Sequence, residues 1–156
     1  MKKIPKVFIV LFALLLVVSN FAACGVSKPS GTYSFEKINF SGSTWDNYTD
    51  AERNFLKAWA EASFINMELK FDNDTLKLQY DSDKTDLFKF KMKDDVVVVF
   101  DENDEEFAFT EIVADVELGL RFKDGKVMFV VEKILSESLE ENFDIQASVV
   151  FKNNEQ

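Results

Sequence analysis

The chain has 156 residues, with 18 Lys and Arg against 28 Asp and Glu, a net charge of −10 at pH 7, one Cys and no His. Such an acidic chain repels the phosphates of nucleic acid, and the lack of His excludes Ser-His-Asp and Cys-His nucleophile pairs and His-bearing zinc sites. Seventeen Phe beside many Val and Leu are the composition of a globular domain with an apolar core, not of a disordered chain.

Lys2, Lys3 and Lys6 precede an unbroken apolar run from Val7 to Val18. Its 12 residues match the h-region of a signal peptide, whereas a membrane-spanning helix needs roughly 20. Ser19 and Asn20 end the run, and Phe21-Ala22-Ala23-Cys24-Gly25 follows. This stretch resembles the lipobox of bacterial lipoproteins, with Phe21 where Leu is usual. The resemblance implies that residues 1–23 are a signal peptide. It also implies that Cys24 becomes the acylated (palmitate-bearing) first residue of the mature chain, anchored in the cell envelope on the extracytoplasmic side of a membrane. Two or three acyl chains hold far more firmly than one. Residues 24–30 then form the lipidated Cys and a short polar tether. The mature chain has 133 residues, and its charge falls to −13 because the three signal lysines leave. No thiol remains for a disulfide, so the domain rests on its core.

Gly31 to Phe40 reads as the first strand. Tyr33 and Phe35 alternate with polar residues, and Ile38 and Phe40 do so one place out of phase, which predicts a bulge near Glu36-Lys37. Thr49-Asp50-Ala51-Glu52 fits a capping box and opens a helix running to about Ser63. Phe55, Leu56, Trp59 and Ala62 give it one apolar face, expected to pack on the sheet with Trp59 in the core.

The period then becomes two. Ile65, Met67, Leu69 and Phe71 alternate, Asp72-Asn73-Asp74 turns, and Leu76, Leu78 and Tyr80 alternate again. After the polar stretch Asp81 to Asp86 come Phe88, Phe90 and Met92, then a turn at Asp94-Asp95. Val96 to Phe100 is continuously apolar and is expected to be buried on both faces. Phe107 and Phe109 follow an acidic turn, and Val116, Leu118, Leu120 and Phe122 alternate up to Asp124-Gly125, the sharpest hairpin signal. Val127 to Ile134 returns, Leu135 to Phe143 is compatible with a short helix, and Ile145, Ala147, Val149 and Phe151 make a last strand.

The pattern predicts a mainly all-β fold: a closed antiparallel barrel or strongly curled sheet of about eight strands. One helix follows the first strand and a second, short one lies near the C-terminus. A single domain spans residues 31–156. The chain resembles the lipocalin-like (calycin-type) domains of bacterial lipoproteins over about Gly31 to Phe151. The likeness rests on Gly31-Thr32-Tyr33 opening the first strand soon after the anchor and on the run of hairpins. Tyr33 stands where that family usually carries Trp. The resemblance implies a barrel whose interior takes a small apolar molecule, and transfers no individual binding residue.

The most acidic segment, Asp101 to Glu106, fails the EF-hand pattern: Glu106 stands where Gly is needed and Ile112 where the bidentate Glu belongs. It reads as a solvated turn, and no metal or cofactor is expected. Phe88, Phe90, Phe107 and Phe109 either fill the barrel, together with Phe100, Phe122 and Phe129, or line a pocket for an apolar ligand. Trp45 and Tyr48, in the loop before the helix, are candidates for the pocket mouth or for a contact surface. No motif suggests an enzyme. The leading expectation is an anchored, non-enzymatic module for a small apolar ligand. The alternative is an acidic interaction protein, of inhibitor or immunity type, that engages a basic partner.

Overall fold

The structure, a computed structural model, describes residues 27–81, 84–110, 112, 116–134 and 144–155. Residues 1–23, Cys24 and the segment Leu135 to Phe143 lie outside the described residues, and with them the signal peptide, the lipidation site and the second helix.

Eight strands close into one antiparallel barrel in sequence order. They are β1 (Gly31–Ser41), β2 (Glu68–Asp72), β3 (Thr75–Asp81), β4 (Lys84–Lys93), β5 (Val96–Phe100), β6 (Val116–Lys123), β7 (Lys126–Ile134) and β8 (Gln146–Asn153), with β8 pairing back onto β1. Two helices, α1 (Ser43–Asn47) and α2 (Asp50–Phe64), join β1 to β2. The expected bulge is present: the β1–β8 register shifts between Phe35 and Lys37. The capping box is present as well. Glu52 N donates to Thr49 Oγ1, and Thr49 N donates to Glu52 Oε2 at 2.8 Å.

Three tight turns sit at one end of the barrel and use residues that tolerate positive φ. Asn73, Asp94 and Asp124 have φ of 52°, 57° and 52°, and Gly125 has 74°. Two consecutive positive φ values at Asp124-Gly125 match the right-handed twist of β6 and β7, which is why that dipeptide signals a hairpin. The start of β1 and the end of β8 meet the same hairpin end. The leading segment is fastened there. Lys28 Nζ reaches Asn73 O at 3.1 Å and Asp74 Oδ1 at 3.2 Å, Asn153 Nδ2 donates to Ser30 O at 3.0 Å, and Pro29 is buried. The opposite, helical end carries α1, α2 and the longer connections.

Inward side chains fill the barrel. Leu69, Leu76, Leu78, Val127, Phe129 and Phe151 are fully buried, and the core runs from Tyr33 to Phe151. Each of these eight strands has two neighbours, so the barrel closes on itself within residues 31–153.

Four expectations are corrected. Val96 to Phe100 is not buried on both faces: Val97 and Val99 point inward, while Val96, Val98 and Phe100 are only half-covered, since a barrel wall has one inner face. Ile65 is no strand residue but caps α2 and is exposed. Trp45, expected in the loop before the helix, lies in the short α1. Finally, α2 seats by Ala60 and Phe64, with Leu56 partly covered, and leaves Phe55 70 % and Trp59 56 % exposed. The helix carries two adjacent apolar stripes, 55/59/62 and 56/60/64. The second wins because Phe64 leads directly into buried Met67 and its ring meets Phe129 at 6.2 Å.

Candidate functional site

The seam between β5 and β6 is the weakest part of the wall. The two strands pair only at Val96 and Arg121. The segment after β5 folds back to fill the space. Phe107 N donates to Val99 O at 2.8 Å, and Leu118 N donates to Phe109 O at 3.0 Å. Glu106 and Phe109 form isolated bridges with Phe100 and Leu118, and Phe107 lies between them outside any strand.

Of the four inner candidates, three meet. Phe88 lies 4.8 Å from Phe107 and 5.7 Å from Phe109, and Phe107 lies 5.2 Å from Phe109. Phe109 continues to Phe129 at 5.2 Å and Phe129 to Phe151 at 5.8 Å. Phe90 joins a second group, edge-on to Phe71 at 5.1 Å, with Tyr33 beyond it. These spacings are those of aromatic rings packed in contact. Phe88, Phe90 and Phe109 are buried, and Phe107 is partly so. Among the described residues, no buried side-chain polar atom lacks a partner.

A cleft of about 290 Å³ opens on the seam beside these rings, lined by Val97, Val99, Phe107, Phe109, Leu118 and Glu132 among others. A Cβ at Gly119 would overlap the Glu132 side chain there, which would have to shift. The Glu132 carboxylate faces Arg121 at 3.3 Å, and Arg121 also reaches Asp95 at 3.4 Å. A groove of about 380 Å³ near the leading segment is lined by Lys28, Asp74, Lys89, Phe90, Lys91 and Met92. Its cations are engaged: Lys28 with Asp74, Lys89 with Asp104 at 2.6 Å, and Lys91 over the Phe100 ring.

Trp45 and Tyr48 stand apart from the inner rings. Trp45 stacks on Phe40 at 4.5 Å and 19°, with Tyr48 edge-on at 6.3 Å. Arg53 lies over Trp45 at 5.9 Å and donates to Tyr48 O and Asp46 O. Asp144 ties α1 to the start of β8, accepting from Ser43 N at 2.9 Å while its own N–H donates to Thr44 Oγ1. Gly42, at φ 112°, allows this approach, since a Cβ would overlap the Asp144 carbonyl. Trp45 is thus a half-buried lid residue on the end of β1, locked by its neighbours.

Charge divides the two ends. The described connections at the helical end hold ten carboxylates and only Arg53 and Lys57 as cations, with Lys89 of β4 reaching one of the ten, Asp104. The strand ends there add Lys84 and Lys133 but also Glu68 and Glu117. At the hairpin end Asp72, Asp74, Asp94, Asp95 and Asp124 are interleaved with Lys28, Lys93, Lys123 and Lys126. The acidic turn after β5 is ordered by Asp101. Its Oδ1 accepts from Asn103 N at 2.8 Å and from Glu105 N at 2.9 Å. These N–H groups, Glu105 first, hold the Asp101 pKa below its ordinary value. The carboxylate is spent on its own loop, and among the described residues no three acidic side chains converge as a metal site.

Sequence reasoning missed one surface. Ala51, Phe55, Ala58, Trp59, Ala62 and Ile65 are all exposed and fall on one side of α2. Helical spacing shows Phe55, Trp59 and Ala62 as part of an apolar face with Leu56, but the structure turns these three outward.

No family model, curated protein or solved structure matches the chain.

Proposed function

We propose that this chain is a lipid-anchored envelope protein, carried on Cys24, whose barrel is a rigid, non-enzymatic mount that presents an acidic end to a basic protein partner. The observation that carries this reading is the segregation of charge: the carboxylate excess lies in the connections of the helical end, while the hairpin end is nearly balanced. Lys28 is fastened to the hairpin end only four residues after Cys24. Those residues span about 14 Å at most, so an anchor at Cys24 turns the helical end outward. Like charge also keeps that end off an anionic membrane, and opposite charge steers a cationic partner to it.

The test uses residues 25–156 and labelled poly-lysine. We expect binding at low salt that weakens as salt rises. It should fall further when Glu102, Glu105 and Glu106 are changed to Gln, and hold when Asp94, Asp95 and Asp124 are changed to Asn. Equal loss from both sets would overturn the polarity of the charge. Absence of binding would overturn the reading. Anchoring is checked separately: Cys24→Ser should abolish incorporation of a clickable palmitate analogue and release the chain from membranes.

A second reading, a module for a small apolar ligand, is supported by the seam cleft beside Phe107 and Phe109. At about 290 Å³ it is near the lower limit of small-molecule sites. Native mass spectrometry of the gently purified domain tests it. An added mass lost on denaturation, and absent from Phe107→Ala, would support it; a bare mass would argue for the protein partner.

A further inference from the structure

From the exposed stripe of α2 we infer that the helix is itself the docking element: Phe55 and Trp59 enter an apolar groove of the basic partner, and the carboxylates around them pair with cations on the groove rim. This surface deepens the interaction reading above and rests on it.

Three observations carry the assignment. First, the stripe contains no charge. Phe55 and Trp59, four residues apart, project side by side between Ala51, Ala58 and Ala62, with Ile65 at the C-terminal end, and all six are exposed. At 70 % and 56 % exposure the two rings alone present on the order of 250 Å² of apolar surface. The largest apolar patch on a typical soluble monomer, about 300–600 Å², is often functional, and the alanines and Ile65 extend these rings toward that size. Second, nothing among the described residues uses the stripe. The helix is already seated by Ala60 and Phe64, its N-terminus is closed by the Thr49–Glu52 box, and its Arg53 is spent on Trp45, Tyr48 and Asp46. A large aromatic pair with alanines on either side is the profile of a helix that inserts anchors at four-residue spacing into a groove. Trp and its ring neighbours are also the residues that dominate such interfaces.

Third, the surroundings choose the occupant. Asp50, Glu52 and Glu61 flank the stripe, and the other connections of the same end add more carboxylates than cations. Two copies of this end repel one another, which disfavours a symmetric pair. An anionic bilayer is repelled too, and a membrane holding Cys24 lies toward the hairpin end. A protein groove with an apolar floor and Lys or Arg along its rim satisfies both the rings and the charges.

The experiment compares three probes on residues 25–156: a helical Leu/Lys amphipathic peptide, poly-lysine, and phosphatidylcholine vesicles with brominated acyl chains. Self-association is followed by sedimentation. The variant is Phe55→Ser with Trp59→Ser, both at exposed positions, and its fold is checked by thermal unfolding. We expect the Leu/Lys peptide to bind more tightly than poly-lysine per charge, and the double variant to lose about tenfold of that affinity while poly-lysine binding stays unchanged. Equal affinity for the two peptides, or a double variant that binds both as well as the parent chain, would overturn the stripe and leave the acidic-end reading standing. Failure of both peptides would overturn both. Quenching of Trp59 by brominated lipid, or dimerisation lost in the double variant, would replace the partner groove with a membrane or a second copy.

Discussion

Phe129 is the residue on which the packed interior can be judged. Its ring is fully buried and touches three others: Phe64 of α2 at 6.2 Å, Phe109 of the seam segment at 5.2 Å and Phe151 of β8 at 5.8 Å. It therefore joins the helical plug, the filler of the β5–β6 seam and the closing strand. Truncation to Ala in a packed core costs about 3–5 kcal/mol. Each lost ring pair contributes about 0.5–1.5 kcal/mol beyond area alone, so the upper half of that range is expected. Phe129→Leu keeps most of the volume and should cost much less, about 1–2 kcal/mol. A domain of ordinary stability has about 5–15 kcal/mol to lose, so Phe129→Ala is measurable but brings the chain close to unfolding. Urea denaturation of residues 25–156, read by Trp45 and Trp59 fluorescence, gives both the midpoint and the slope. A cost below about 1 kcal/mol with an unchanged slope would refute the packed interior. Such a result would mean that the barrel already holds free space beside Phe129, and the reading of a ligand within the barrel would take precedence.

Thr49→Ala should cost about 1 kcal/mol through loss of the cap, and Glu52→Ala should add little on top of it, because the two side chains serve one another; a double-mutant cycle in urea measures this. Gly119→Ala should destabilise the chain only while Glu132 is present, since the added Cβ meets the Glu132 carboxylate, and Glu132→Ala should restore stability. Asp101 is held below its ordinary pKa by the N–H groups of Glu105 and Asn103, Glu52 by Thr49, and Glu36 by its hydrogen bond to Lys126. A depressed carboxylate contributes stability that is full above its unfolded pKa, near 4, and is lost as the pH falls through the lower folded value. Acid titration should therefore show stability falling below about pH 4, with a shallower fall in Asp101→Asn, and an unchanged slope in that variant would count against the loop-ordering role.

Much of the fold is legible in the residues themselves. The alternation from Leu69 to Phe71, from Leu76 to Leu78 and from Leu118 to Phe122 marks strands, because each has one inner and one outer face. The phase slip between Phe35 and Ile38 marks the bulge for the same reason. Asp124-Gly125 marks a turn because few other pairs tolerate two positive φ values. The short helix at Trp45 is not legible in this way. It depends on Asp144, a hundred residues on, capping Ser43 and Thr44, and on a backbone approach that only Gly42 permits. The split seam is also hidden, since the Val96 to Phe100 run looks like any buried strand until the register shows one pair to β6. Of Phe88, Phe90, Phe107 and Phe109, Phe90 packs apart from the other three, and periodicity cannot separate a ring that lines a space from one that fills it. The placement of Phe55 and Trp59 turns on a rotation of one helix by about one residue, or 100°. Periodicity alone favours neither stripe, because both recur at helical spacing.

That ambiguity has a physical source that bears on function. A surface helix needs one apolar stripe to stay seated, and α2 carries two. The inner one is made of Leu56, Ala60 and Phe64, small or linked directly to the strand that follows. The outer one holds the larger rings, Phe55 and Trp59, which would gain more by burial than anything the inner stripe contains except Phe64. If burial in the isolated domain were the only pressure, the helix would turn its larger stripe inward. It is prevented by Phe64, whose position against Phe129 fixes the rotation, and by the Thr49–Glu52 box, which fixes the start. The exposed rings are thus held outward by contacts that do not involve them. Pre-organisation of this kind lowers the ordering cost of binding, because the anchors need no rearrangement before they are buried. Ser at both positions should accordingly leave the unfolding midpoint of the domain within the small range typical of surface changes, about 0.5 kcal/mol, while weakening partner binding. A marked loss of stability would show instead that the stripe is already covered within the chain.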